Sequence, residues 1–401
     1  MVATASYYTD PRYRAYPGSG YDGVVRVSVS GYYGTGVLLA DGRAVLTAAH
    51  LLAGTDGAAG VHFETVAGLE SIAAGGASLH PAYDPLSVDN DLALLWLESS
   101  APLGAERYSL YRGGDELGRE FDFVGYGTPG TGMDGVLDSY AGDPLRLLAR
   151  NRFEADGAEL KAALGDFMGW APDAGLQLIA DFDSGRIGND ALGLLLSIQD
   201  PGLAEDEGLL TPGDSGGPAF LEGQLAGLAS YTASLSRGVI APDLDAELNS
   251  TFGELGAWQR LSAQQQWLDQ SMRAGYPAAP ASPEEVRELV VEGDDGTTYA
   301  YFLLRFTGVR QDPEQWLSVD YATRDGLARA GEDYLAVSGT LILYPGETQA
   351  VIPVEIVGDT VSEVDEMFYL DVCNPVGGSF GEGVARLTAV RTILDDDGWW
   401  A

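Results

Sequence analysis

Gly213-Asp214-Ser215-Gly216-Gly217-Pro218 can be little other than a turn, because three glycines and a proline within six residues suit neither a helix interior nor a central strand. Two upstream segments give that turn its interest. Leu46-Thr47-Ala48-Ala49-His50 and Asn90-Asp91-Leu92-Ala93-Leu94-Leu95 supply an imidazole and a carboxylate, so His, Asp and Ser follow in that order. A serine hydroxyl is a poor nucleophile until a neighbouring base takes its proton, and an imidazole needs a carboxylate to hold the useful tautomer. Singly, each residue has a plainer reading: Ser215 in an ordinary turn, His50 in a core, Asp91 as a strand-end cap. Together, with His80-Pro81 ahead of Asp91 and Val124-Gly125-Tyr126-Gly127 between Asp91 and Ser215, they point to nucleophilic catalysis. His62 and His80 lack such a context and read as structural.

Short apolar stretches punctuated by Gly and Asp run through residues 21–275. Those at 24–30, 36–39, 44–47, 92–97, 121–125, 176–182 and 225–231 are strand candidates. With 401 residues, 54 glycines and 45% hydrophobic residues, the chain suits two turn-rich, all-β domains. Residues 257–272 read as a helix, with Trp258, Leu261, Gln265 and Leu268 on one face. Residues 276–283 are a stiff Pro/Ala linker. Beyond it, alternating runs at 299–306, 317–321, 339–343, 350–357, 367–372 and 385–393 predict a β-sandwich over 284–397, followed by a tail at 398–401. No internal repeat or coiled-coil heptad is present.

The motifs around His50, Asp91 and Ser215 resemble those of trypsin-like (chymotrypsin-fold) serine proteases over residues 21–275, with an N-terminal segment at 1–20. The resemblance implies a double β-barrel closed by a C-terminal helix. It also implies that Ser215 attacks the scissile carbonyl, His50 relays the proton, Asp91 orients His50, and the N–H groups of Gly213 and Ser215 form the oxyanion hole. The floor of the P1 pocket would be Leu209, six residues before the nucleophile, with Ser230, Tyr231, Thr232 and Gly256 as walls. A buried leucine cannot pair with a desolvated cation, so small or apolar P1 residues are expected. One departure stands out. Members of the family commonly pair a freed Ile-Val-Gly-Gly-like terminus with the Asp before the nucleophile, here Asp214, and no such segment stands at the expected place. Thr35 and Leu51 occupy positions where such proteases often carry a disulfide. With Cys373 the single cysteine, no intrachain bridge can form, which suits a bacterial type of protease.

Downstream, Val290-Val291-Glu292-Gly293-Asp294, Gly331-Glu332-Asp333-Tyr334, Glu363-Val364-Asp365-Glu366-Met367-Phe368 and Leu394-Asp395-Asp396-Asp397 follow in order. This string resembles a Calx-β domain, an Ig-like sandwich, over nearly all of 284–397. Carboxylates gather at strand ends and turns, where hard cations with oxygen ligands would relieve their repulsion. The resemblance assigns calcium-ligand roles to Glu292, Asp325, Asp333, Asp359, Glu363, Glu366, Asp395, Asp396 and Asp397. The plainer reading is a solvated acidic rim. Cys373 reads as a core thiol.

A net charge of −38 excludes nucleic acid as a partner and disfavours anionic membranes. Lys161 is the one lysine beside many arginines, a bias that leans toward a saline environment. No apolar run is long enough to span a bilayer, and Met1-Val2-Ala3-Thr4-Ala5 starts no recognisable signal peptide. The expectation is an extracellular serine endopeptidase acting on polypeptides without a catalytic cofactor. Its sandwich would bind calcium and contact matrix or cell surface. The alternative is a calcium-dependent adhesion or matrix-binding protein whose protease-like domain is not catalytic.

Overall fold

Six strands from the first part of the chain close on themselves. In a computed structural model that describes residues 2–55, 58–137 and 139–397, they are ordered Val24–Val29, Tyr32–Leu38, Ala44–Thr47, Ala93–Leu97, Gly68–Leu79 and Ala59–Thr65. The expected tail at 398–401 lies outside the described residues. Alternation explains the closure: Val25, Val27, Val45, Val61, Phe63, Leu95 and Leu97 all point into one buried core.

A second lobe is a seven-stranded sheet ordered Leu147–Arg152, Glu120–Gly125, Pro218–Leu221, Gln224–Ala233, Leu255–Arg260, Gln177–Asp181 and Ala155–Asp156. Its pairing makes a half-barrel rather than a second closed ring. Here the structure corrects one expectation. Residues 257–260 are strand, and the helix is Leu261–Gly275. Trp258 pairs with Leu178 on one side and Ala229 on the other, and its ring meets Phe121, Phe123 and Phe153 at 5.0, 5.7 and 5.9 Å between centroids. Burial of that indole in the sheet core outweighs the helix propensity of its neighbours. The N-terminal segment is woven in as well. Ala3–Thr4 lies between Gly130–Thr131 and Gly208–Leu209, and Val2 and Ala3 are fully buried.

By residue contacts the chain divides into Met1–Leu39 with Arg43–Leu268, and Ala40–Gly42 with Asp269–Ala401. The second unit is the sandwich. A five-stranded sheet runs Leu289–Val291, Arg386–Leu394, Glu366–Val376, Leu317–Asp325, Ser338–Leu343, and a two-stranded sheet pairs Thr297–Arg305 with Gln349–Val357. Phe368 joins the layers, stacked on Tyr334 at 4.5 Å and edge-on to Phe302 at 5.8 Å. Cys373 is half-buried on Glu366–Val376.

Candidate active site

His50 sits in the one-turn helix Ala49–Leu52 that follows the strand Ala44–Thr47, and Asp91 lies just ahead of Ala93–Leu97, the strand paired with it. That pairing brings imidazole and carboxylate together. Asp91 is fully buried. Its Oδ1 accepts the His50 backbone N–H at 2.8 Å, and its Oδ2 lies 2.7 Å from His50 Nδ1. Ser230 Oγ donates to the same Oδ2 at 2.6 Å. With Asp91 Oδ2 as acceptor, Nδ1 must carry the proton and Nε2 is left as the basic nitrogen.

The turn bearing Ser215 packs on this same segment. Gly216 has φ +82°, and a Cβ there would come within 2.2 Å of the Thr35 carbonyl oxygen and 2.4 Å of Thr47 Oγ1. Only glycine fits so close an approach. Gly213, at φ +99°, takes another left-handed position. Thr35 ties the turn from the first barrel. Its N–H donates to the Ser215 carbonyl at 2.9 Å, and its Oγ1 donates to the Gly213 carbonyl at 2.9 Å and accepts the Tyr126 N–H at 3.0 Å. Hydrogen bonds from Thr35 therefore hold the barrel to the turn that bears Ser215.

Asp214 is buried, which pushes its carboxyl above the usual range, while the N–H groups of Gly127 and Thr211 hold its two oxygens at 2.8 and 2.9 Å. Val2 and Ala3 are fully buried. Ala3 pairs with Leu209 and packs with it, Phe182 and Phe252 in one small core. Thr232 pairs with Gly256, and a Cβ on Gly256 would lie 3.0 Å from Leu209 Cδ1. Leu209, Thr232 and Gly256 are thus adjacent, around an apolar base. Tyr231 turns away, its hydroxyl accepting from Trp170 Nε1 at 2.9 Å and donating to Gln177 at 2.6 Å. Ser230, read from sequence as a pocket wall, spends its hydroxyl on Asp91, a role no local motif signals. His62 bridges Ser28 and Ser71 at 2.8 and 2.7 Å, and His80 packs on Trp267.

In the sandwich, six of the nine expected calcium ligands fall into two groups. Glu292, Asp395 and Asp397 form one and Asp333, Glu363 and Glu366 the other, with carboxylate oxygens in each group within 4.8 Å of one another. Glu363 N–H donates to Asp395 Oδ2 at 3.1 Å, which links the two. Burial, then the charges of Asp359, Asp395, Glu363 and Asp397, pushes Glu292 up to about 7. Glu292 Oε1 and Asp397 Oδ2 are buried without a hydrogen-bond partner among the described residues. All-oxygen donors, mutual repulsion and orphaned acceptors fit a hard cation such as calcium. The other three are differently engaged. Asp325 accepts from Tyr334 OH at 2.6 Å, Asp359 from Val361 N–H at 2.6 Å, and Asp396 from Gly293 N–H at 3.1 Å.

The Trypsin family model matches residues 12–148 and the Calx-beta domain model residues 290–397. The first match stops short of Ser215, so that residue's assignment rests on its motif and its setting. Human sodium/calcium exchanger 2 is 32% identical over 201 residues, 43% of this chain and 20% of the exchanger. The rat exchanger 2 is 44% identical over 92 residues (20% and 10%), and the Drosophila melanogaster sodium/calcium exchanger Calx 38% over 91 residues (22% and 9%). The chain spans at most a fifth of the length of these relatives. Among solved structures, neuropsin, a serine protease expressed in the limbic system of mouse brain, aligns over 65% of this chain and 98% of its own, at 18% identity and a TM-score of 0.46.

Proposed function

We propose that this chain, which carries a trypsin domain followed by a Calx-β domain, is a serine endopeptidase that cleaves polypeptides through an acyl-enzyme. The observation that carries the reading is the grip on Asp91: His50 binds it through both backbone N–H and Nδ1, and Ser230 completes its shell. In the proposed reaction His50 Nε2 takes the Ser215 proton as Oγ attacks the carbonyl carbon. The N–H groups of Gly213 and Ser215 receive the oxyanion, and His50 returns the proton to the leaving amine. Water then repeats the sequence on the ester. Leu209 at the base of the pocket favours small or apolar P1 residues.

In this reading the sandwich holds calcium through Glu292, Asp395 and Asp397 and through Asp333, Glu363 and Glu366. The enzyme acts outside the cell, where free calcium suits weak extracellular sites, and the sandwich contacts matrix or cell surface. Lack of a cysteine pair supports a bacterial type of protease. No helix among the described residues is long and apolar enough to cross a membrane.

A fluorophosphonate probe and a peptide library test the enzymatic part. The wild type should be labelled and cleave after small or apolar residues, and Ser215→Ala should lose labelling and at least about 10³-fold of kcat/KM. A wild type that neither labels nor cleaves, before and after limited proteolysis, would leave the adhesion reading. Cleavage after Lys or Arg would remove Leu209 from the pocket.

A further inference from the structure

Glu154, Asp181 and Asp183 form a third carboxylate group, inside the protease unit and away from the triad. Their oxygens lie within 4.8 Å of one another, as in the sandwich groups, but here Asp181 and Asp183 are almost wholly buried, at 1% and 3% exposure. Strand alternation sets this up. Phe182 turns into the small core with Ala3, Leu209 and Phe252, so Asp181 and Asp183 face the other way. Glu154 arrives from the short link between Leu147–Arg152 and Ala155–Asp156, where its N–H donates to the Ile179 carbonyl at 2.9 Å.

The protein satisfies this group only in part. Asp181 Oδ2 accepts the Leu192 N–H at 2.7 Å. Asp183 Oδ1 and Glu154 Oε2 are buried with no hydrogen-bond partner among the described residues. More negative charge surrounds them. Glu207, also buried, accepts the Asp183 N–H at 2.6 Å and the Leu203 N–H at 2.5 Å. The nearby guanidinium of Arg152 is engaged by Asp200 and by Glu120 at 2.9 Å. Burial, reinforced by these neighbouring carboxylates, raises the proton affinity of Glu154 and Asp183. An orphaned carboxylate oxygen at 3% exposure, aimed among two other carboxylates, lacks a positive partner.

We propose that Glu154, Asp181 and Asp183 bind a hard divalent cation of the calcium type, at a site separate from those of the sandwich. Three carboxylates, with no nitrogen or sulfur ligand among them, select such an ion over zinc or copper. Bound there, the ion pins the segment that runs from Asp181 through residues 182–207 back to Gly208–Leu209. It thereby braces the base of the P1 pocket. The site does not depend on catalysis and stands whether or not Ser215 is active.

Equilibrium dialysis with calcium on the full chain, alongside melting curves in EDTA and in calcium, tests the site. Asp183→Asn should bind one ion fewer per chain than the wild type while keeping the sandwich ions. In EDTA it should melt at or above the wild type, since a crowded buried carboxyl is gone. Its protease transition should also lose the calcium-induced rise of roughly 5 °C expected of the wild type. Should Asp183→Asn fail to fold, Glu154→Gln, less deeply buried, gives the same count. An unchanged ion number in the folded variant, or a protease transition of the wild type indifferent to calcium, would show that the three carboxyls share protons and overturn the proposal.

Discussion

Thr35 shows how one side chain ties distant segments together. Its hydroxyl both donates to Gly213 and accepts from Tyr126, so it joins the first barrel to the turn that bears Ser215 and to the strand region beside it. Thr35→Val keeps the volume and strands a buried carbonyl and a buried N–H. That substitution should cost about 2–3 kcal/mol in urea unfolding and lower kcat/KM as Gly213 loosens. A variant with wild-type stability would mean that water or another donor serves these groups. The pairing of His50 with Asp91 and the glycine-dependent turn around Ser215 were legible from sequence, because each rests on a short local string. The contribution of Ser230 was not, since its hydroxyl meets Asp91 only after two distant strands are placed side by side.

The strand Leu255–Arg260 carries the lesson at the level of the element. Trp258, Leu261, Gln265 and Leu268 share a helical period, yet Trp258 belongs to the sheet. Period alone cannot separate a buried strand from the helix that follows it when both are apolar. Glu254, at the entry to that strand, has its own consequence. Its Oε1 accepts the N–H groups of Asn249 and Thr251 at 2.8 and 3.1 Å, its Oε2 has no hydrogen-bond partner among the described residues, and burial pushes the carboxyl up to about 7. A folded-state value above the ordinary 4.5 means that folding favours the protonated form. The associated stability is full below about pH 4.5 and is lost as pH rises through about 7. Glu254→Gln should flatten this dependence and exceed the wild type by up to about 3 kcal/mol at about pH 8, measured from denaturant midpoints across pH. Parallel pH profiles for the two proteins would show that Glu254 remains ionised in the fold.

Across the whole molecule, charge is the dominant quantity, −38 over 401 residues, and nine of the 60 acidic residues gather in three close carboxylate groups among the described residues. Chelation should therefore lower the sandwich transition in scanning calorimetry by several degrees, roughly 5 °C, and Glu363→Gln with Asp395→Asn should remove most of that response. A sandwich transition unmoved by EDTA would make the acidic rim merely solvated. The order of the two domains and the β class of both followed from sequence alone. Alternation, turn chemistry and short motifs are local properties, written in neighbouring residues. Which lobe closes into a ring, which strand takes Trp258, and that Glu154 meets Asp181 and Asp183 were settled only by tertiary structure. Those outcomes depend on pairing between segments far apart in the chain, where the free energy of burying an indole or confining a carboxylate is decided by what arrives opposite it.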